Sequence, residues 1–534
     1  MTRFYFRSIL LLASSVAFTA FVASAQRDRV SSPAKTFSEP MLLVPKALGN
    51  FKRPISSPNV EAQAYFNQGF QLMYAFDMEN AARSFHEAEN RDPNCAICFW
   101  GEAWAWGPYL NGAMDSETAG YALAAIQKAK QLAEEHASPV ERALIEAMSV
   151  RYVINFDPAK RRDQDVPYSE AMRKVHEQFP NDLDVSTLYA ESLFLLEPRR
   201  GSRDINSPNI KKIADILEGV LKADSRHVGA CHLYIHLTEA TTEPGRAEAC
   251  ADTLGNSIPG ASHINHMPSH TWNQLGRWGD SVRANLQAWH SDQMAAVGEG
   301  FAIYPAHNLH MLLFAASMDG QGAVAIQAAK DYFKLSDNNM YQVLTLIRFG
   351  RFDEVLEIKK RPKDDIESGV WYFGQGYAHL RGGDKNAARS DLKHLLETAG
   401  KSTGEFRGHH AKDLLGILGG ILEGEMYRAD GDLENASASF KRAVTFQDAL
   451  VYDEPEPLPF AARDWLGAAL LEAKRFSDAE QVYREDLKKH PHNGWSLIGL
   501  KSALDAQGKS SPEVDSDFEK SWSRSDTWIH ASRF

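Results

Sequence analysis

Cysteine is scarce: Cys95, Cys98, Cys231 and Cys250 are the only four among 534 residues, too few for a disulfide-stapled scaffold. Beyond the first 25 residues no stretch approaches the roughly 18 consecutive apolar residues that a spanning helix needs, so no membrane span is expected after signal cleavage. A basic block is missing as well. Lys+Arg number 58 against 70 Asp+Glu, for a formal net charge of −12, which argues against nucleic acid as a partner. Strict apolar/polar alternation, the mark of half-buried strands, competes nowhere with helical spacing. What is present is ordinary globular material: 44% apolar and 24% charged residues exclude wholesale disorder.

Arg3 and Arg7 precede an apolar run from about Ile9 to Val22 that ends in Ala23-Ser24-Ala25, a small-residue cleavage site. Residues 1–25 read as a secretory signal peptide, so the mature chain is expected to be periplasmic or secreted. Residues 26–60, rich in Ser, Pro and Lys without periodicity, read as a linker.

Small and bulky residues then recur in a fixed order. Gly69, Ala81 and Ala88 stand with Tyr65, Phe85 and Pro93, and the order returns with Gly424, Gly431, Ala436, Phe440 and Ala443. It appears again with Gly467, Ala479, Tyr483 and Pro491, and more weakly around Gly383 and Ala388. The pattern resembles the tetratricopeptide repeat, a unit of about 34 residues in which small residues let two helices cross closely. The implied fold is all-α, a right-handed superhelix whose first helices line a concave groove. Three segments are expected after the linker: 61–200 with an aromatic groove, 201–335 rich in histidine, and 336–534 with further repeats.

The middle segment carries the unusual residues. One repeat aligns at Val228–Ala261, the next starts at Ser262, and a third starts near Ala306. In tetratricopeptide proteins the second, fifth, ninth and twelfth places of the first helix face the ligand. Those places hold His232, His236 and Glu239, then His263, His266 and His270, then His307 and His310. At ~100° per residue His232 and Glu239 differ by about 20° around the helix, as do His263 and His270. Adjacent helices lie about 8–10 Å apart, so the imidazoles converge on one volume. Crowded imidazoles without a cation lose solvation and repel when protonated, which points to a metal site. Pro268 removes a backbone hydrogen bond inside the second helix and is expected to kink it, a tolerated defect or a device that re-aims His266 and His270.

An imidazole-rich shell suits copper or zinc, as one or two ions. Glu239 is expected as a ligand, a group orienting an imidazole, or the catalytic general base. Phe66, Phe70, Trp100 and Trp104 occupy groove-facing places in the first repeats, either as core or as a wall for an organic or peptide substrate. Tyr304 is either a packing residue or a hydrogen-bond donor to that substrate. Cys95–Cys98 is expected to bridge locally, with a thiolate metal site as the alternative, and Cys231 and Cys250 stand at similar heights on two antiparallel helices, though four cysteines permit three pairings. Asp453-Glu454-Pro455-Glu456-Pro457 interrupts the helices as an acidic linker or as a segment that reaches inward.

Together, Cys95-x-x-Cys98 with Trp100-Gly101, His232-x-x-x-His236, His263-x-x-His266-Met267-Pro268-Ser269-His270, His307-Asn308 and Asp453-Glu454-Pro455 resemble a family of exported bacterial tetratricopeptide proteins. The Gly467-Ala468-Ala469-Leu470-Leu471 helix belongs to the same resemblance, which spans most of residues 60–510. It implies the fold and brings no particular reaction. The expected function is that of an exported metalloprotein with a histidine-rich site in the groove, a metal-dependent enzyme with copper redox chemistry ahead of zinc hydrolysis. The alternatives are a non-catalytic scaffold for a peptide or envelope protein, and a metal storage or delivery protein.

Overall fold

The computed structural model describes residues 37–198 and 201–534. The expected signal peptide and the start of the linker lie outside the described residues. Helices follow one another almost without interruption, from Val60–Tyr74 and Met78–Arg91 to Gly494–Ala506 and Pro512–Trp522. The only named strands among the described residues, Glu405–Phe406 and His409–His410, form one short antiparallel hairpin.

Glycine packed against aromatic rings sets the spacing of the helices. A Cβ on Gly69 or Gly101 would come within 2.8 or 2.5 Å of the Phe85 ring, so that ring fits only between two glycine-bearing helices. Gly467 and Gly499 flank Tyr483 in the same way, at 2.3 and 2.1 Å, and Gly424 meets Phe440 at 2.5 Å. In each case glycine and ring are sixteen positions apart, which is the repeat read from the sequence in three dimensions. The fold is a tetratricopeptide-type α-solenoid. Its apolar interior forms two large clusters, one gathered between Met41 and Ile303 and the other between Trp278 and Leu504.

The C-terminal repeats return to the middle of the chain. Trp278 Nε1 donates to the Pro491 carbonyl and Trp495 Nε1 to the Ser317 carbonyl, both at 2.9 Å. Beyond the last helix, Asp526 accepts from the Gly322 and Ala323 N–H groups, and Arg524 pairs with buried Asp319. The segment 37–57, expected as linker, is fixed instead of free. Val44 and Gly49 N–H groups donate to Gln68 and Gln71, Phe51 packs 5.6 Å from Phe70, and Arg53 pairs with Asp182 and Asp184.

Both disulfides are formed, Cys95–Cys98 and Cys231–Cys250, with Cα separations of 5.4 and 5.0 Å and no free thiol. The second closes a span of 19 residues and ties the helix carrying His232 to Glu248–Leu254. Replacing Cys231 and Cys250 together by serine should therefore cost about 2–4 kcal/mol in denaturant unfolding. The same exchange at Cys95 and Cys98 should cost clearly less, because its loop is short. Equal losses at the two bridges would contradict the loop-length argument.

Candidate metal centre

Four stretches of chain build the site. Helix Val228–Thr238 carries His232 and His236, and Glu239 caps its end. The next helix is broken as its proline demands: Ser262–His266 stops, and Pro268–Leu275 restarts with Pro268 in its first turn. His263 and His266 lie on one piece and His270 on the other. Helix Pro305–Met318 supplies His307, and the loop around Glu454 closes the far side.

The ring nitrogens fall into two groups. Ligand atoms of His232, His236 and His263 lie within 4.8 Å of one another, and so do those of His266, His270 and His307. The His232 and His263 Nε2 atoms are 3.1 Å apart, and those of His266 and His270 are 2.7 Å apart. Nitrogens bound to one ion at about 2.0–2.1 Å stand roughly 3.0–3.4 Å from each other, so the His232–His263 spacing fits a shared cation. The shorter His266–His270 spacing is that of a hydrogen bond and must open slightly to admit one.

The opposite ring nitrogens explain the orientation. His232 Nδ1–H donates to the Tyr74 carbonyl at 2.6 Å, and His236 Nδ1–H donates to Glu239 at 2.9 Å. His266 Nδ1 meets Asn285 Oδ1 at 2.9 Å; the Asn285 amide N–H donates to the Ser281 carbonyl, so its oxygen must face the ring. His270 Nδ1–H donates to Glu239 and to Glu454. Each anchored Nδ1–H leaves a lone pair on Nε2 pointing inward, the arrangement that prepares imidazoles for metal. Two lone pairs facing each other repel unless a proton or a cation lies between them.

Burial, reinforced by neighbouring positive charge, holds His232, His263, His266, His307 and His310 well below the ordinary imidazole range. His270 goes the other way. Burial alone would lower it, but Glu239 and Glu454 raise it to about 10. Burial is the largest single effect on Glu239 and pushes it up, but the charge and hydrogen bond of His270, with the Glu454 hydrogen bond and the Arg203 charge, together keep this carboxyl below its usual value. With a proton on His270 Nε2 donated to His266, the metal-free pair is satisfied.

Beside the imidazoles lies a cavity of about 300 Å³. His236, His270, His307, Tyr304, Tyr332 and Arg407 are among its walls. The Asp453–Glu456 loop reaches inward, resolving the choice that the sequence left open. Asp453 is held by Arg407 and His409, Glu454 by His270, and Glu456 by His490. Arg407 sits at the turn of the small hairpin with φ 54°.

Six of the seven expected histidines converge; His310 stands apart, stacked 4.3 Å from Tyr341, although it still lines the cavity. Tyr304 also lines the cavity, with its hydroxyl 2.8 Å from that of Tyr109. Of the two readings of Phe66, Phe70, Trp100 and Trp104, the structure takes core and corrects their placement as a substrate wall. These rings are at most 2% exposed and pack on one another, and Phe51 of the segment 37–57 lies on Phe70. Glu239 stands behind the imidazoles, with both oxygens engaged by His236 and His270, and so positions them. Sequence reasoning missed Tyr74, Phe76 and Asn285. Phe76, at φ 60°, lays its ring 4.2 Å from His232 and 5.6 Å from His263. No repeat template marks these places, since they end one helix or lie on the second helix of a pair.

No family model matches the chain, and no curated protein does. Among solved structures it is similar to the P58(IPK) TPR domain, at 10% identity over 85% of this chain and 100% of that one, with a TM-score of 0.22. It is similar to the Cut9-Hcn1 hetero-tetramer of APC/C at 13% identity, 86% and 79% coverage and a TM-score of 0.29. Human IFIT1, as a dimer with m7Gppp-AAAA, gives 12% identity, 87% and 90% coverage and 0.29. Likeness at this level carries no argument about the site, and the repeat fold rests on the helix packing described above.

The buried imidazoles set an acid limit on stability. A histidine whose pKa is lower in the folded state binds more protons when unfolded, so stability falls as pH drops below about 6.5. Four fully buried rings and half-buried His307 act in this sense, each by at most about 1.4 kcal/mol per pH unit. His270 acts oppositely: its contribution is fully present below about pH 6.5 and is lost progressively as pH rises to about 10, so it does not add to the acid-side fall. In chelator, the melting temperature should therefore fall steeply between pH 6.5 and 5. A flat profile there would mean that these imidazoles are not buried neutral.

Proposed function

We propose that the chain is an exported metalloprotein whose two three-histidine groups hold one or two transition-metal ions and act on a small organic molecule in the adjoining cavity. The observation that carries this reading is the set of Nδ1–H anchors on His232, His236, His266 and His270, which turn paired Nε2 atoms toward each other. Export is supported by the leader-like N-terminus and by both bridged cysteine pairs. No helix among the described residues is long and apolar enough to cross a membrane.

Charge limits how many ions fit. The carboxylates touching these imidazoles are Glu239 and Glu454, while Asp453 is neutralised by Arg407. Two negative charges in a buried site balance two monovalent ions or one divalent ion, whereas two zinc ions would leave excess positive charge. The imidazole-rich donor set, with few carboxylates to bridge two ions, keeps an oxidoreductase with copper ahead of a zinc hydrolase. Bound metal would supply redox or Lewis-acid chemistry at the cavity edge. The chain's own groups orient the imidazoles through Glu239 and Asn285, while Tyr304 and Tyr332 offer hydroxyls to a substrate. A peptide scaffold fits less well, because residues 37–57 already lie on the aromatic groove.

His236→Ala or His270→Ala should lower bound copper or zinc sharply, by elemental analysis, while helical circular dichroism stays nearly unchanged. Unchanged metal content in the folded variants would defeat the reading. Because Glu239 positions two imidazoles, Glu239→Gln should weaken metal binding about 10–100-fold. A variant binding as tightly as wild type but losing turnover would return Glu239 to proton transfer.

Metal binding must displace the Nε2 proton of His270, which is held up to about pH 10. Calorimetry near neutral pH should accordingly show release of about one proton to buffer for each ion bound at the His266 group. A binding enthalpy independent of the buffer would rule out this coupling.

A further inference from the structure

A second constellation of ligand type lies in the first repeats and shares no residue with the centre above. His86 and Glu89 stand one turn apart on helix Met78–Arg91, and Glu102 faces them from Ala96–Trp106. His86 Nδ1 is 3.3 Å from Glu102 Oε2 and 3.6 Å from Glu89 Oε2, and the three ligand atoms all lie within 4.8 Å of one another. Both carboxylates are buried, at 6% and 7% exposure, against a single imidazole of opposite charge.

Details around the trio match a prepared site. Trp106 Nε1–H donates to Glu102 Oε1 at 3.2 Å, which turns Oε2 toward His86. Glu89 Oε1 is buried without a hydrogen-bond partner, an atom of high cost unless something compensates it. Phe37 stacks on the His86 ring at 4.1 Å and fixes its plane. The His86 side chain is about one-third exposed, which leaves a side open to water.

We infer that His86, Glu89 and Glu102 form a binding site for one divalent cation of the zinc type, completed by water and separate from the histidine-rich centre. Ligands bound at about 2.0–2.2 Å around a tetrahedral ion stand roughly 3.3–3.5 Å apart, the spacing of these groups. One imidazole with two carboxylates is a mixed nitrogen–oxygen set that zinc accepts, and the ion would offset the burial and the Glu102 charge that otherwise push Glu89 well above the usual carboxylate range. It would tie the first helix pair to the next helix and hold the segment at Phe37 in place. In its absence a proton takes this position: hydrogen bonds that His86 donates to Glu102 and then to Glu89 raise it to about 10.

Zinc alone is the probe. Crystals of the unmodified chain equilibrated with zinc should show an anomalous peak at the zinc edge bound by His86 Nδ1, Glu89 and Glu102. Equilibrium zinc content should fall by one ion per chain in Glu102→Gln, and the rise in melting temperature attributable to that ion should vanish with it. No peak among the three side chains, or an unchanged zinc count in the variant, overturns the inference. Metal at the histidine-rich centre appears as its own peaks, so failure of either site is read independently of the other.

Discussion

Gly229 lies against the ring of Tyr74 so closely that a Cβ there would come within 2.4 Å of it, and this contact joins the first repeat to the histidine-rich centre. Only that approach lets the Tyr74 carbonyl, at the end of its helix, accept from His232. Two residues on, Phe76 turns into the left-handed region and covers His232, His236 and His263. A left-handed bulky residue is costly and persists where surrounding packing determines it. Tyr74 is fixed in turn by Asp184, which also meets Arg53 and His227. The orientation of a central imidazole thus depends on residues near the N-terminus.

Legibility in the sequence follows the range of the interactions. The repeat was readable because glycine and its aromatic ring recur at fixed spacing, as with Gly69 and Phe85 or Gly467 and Tyr483. The histidines were readable because one helical face of each repeat points the same way, and Pro268 was readable as a break from its backbone chemistry alone. Both cysteine pairs lie within one junction or one helix pair. Phe66, Phe70, Trp100 and Trp104 are core instead of a substrate wall: they pack on one another, and Phe70 is further covered by Phe51 from residues 37–57, which belong to no repeat. The contacts of Glu454 with His270 and of Trp495 with Ser317 arise from the return of the C-terminal repeats, a long-range geometry that no local spacing encodes.

His263 and His266 show how one helix serves two groups. They differ by about 300° around an ideal helix, a modest separation of roughly 60°, so neighbouring rings on one face diverge slightly. Their rings lie 5.5 Å apart, yet His263 meets His232 on one side and His266 meets His270 on the other. The break at Pro268 carries His270 onto a separate helical piece, where Glu239 from the preceding repeat can hold it. Glu239 also holds His236, so one carboxylate spans the two groups and couples their positions.

The two ends of the described chain limit what the solenoid can bind. Residues 37–57 lie on the aromatic faces of the first repeats, and the segment after Trp522 is held by Asp319, Glu425 and Glu472. An open tetratricopeptide groove offers an extended surface to a partner; here its own chain takes much of that surface. The cavity beside His236, His270 and His307 is lined by imidazole, phenol, guanidinium and carboxylate groups alongside apolar Pro305, Ala306 and Leu335. At about 300 Å³ it presents hydrogen-bonding groups next to the imidazoles. The repeat fold therefore serves here to bring distant helix ends to one buried point, a different use from displaying a long concave face.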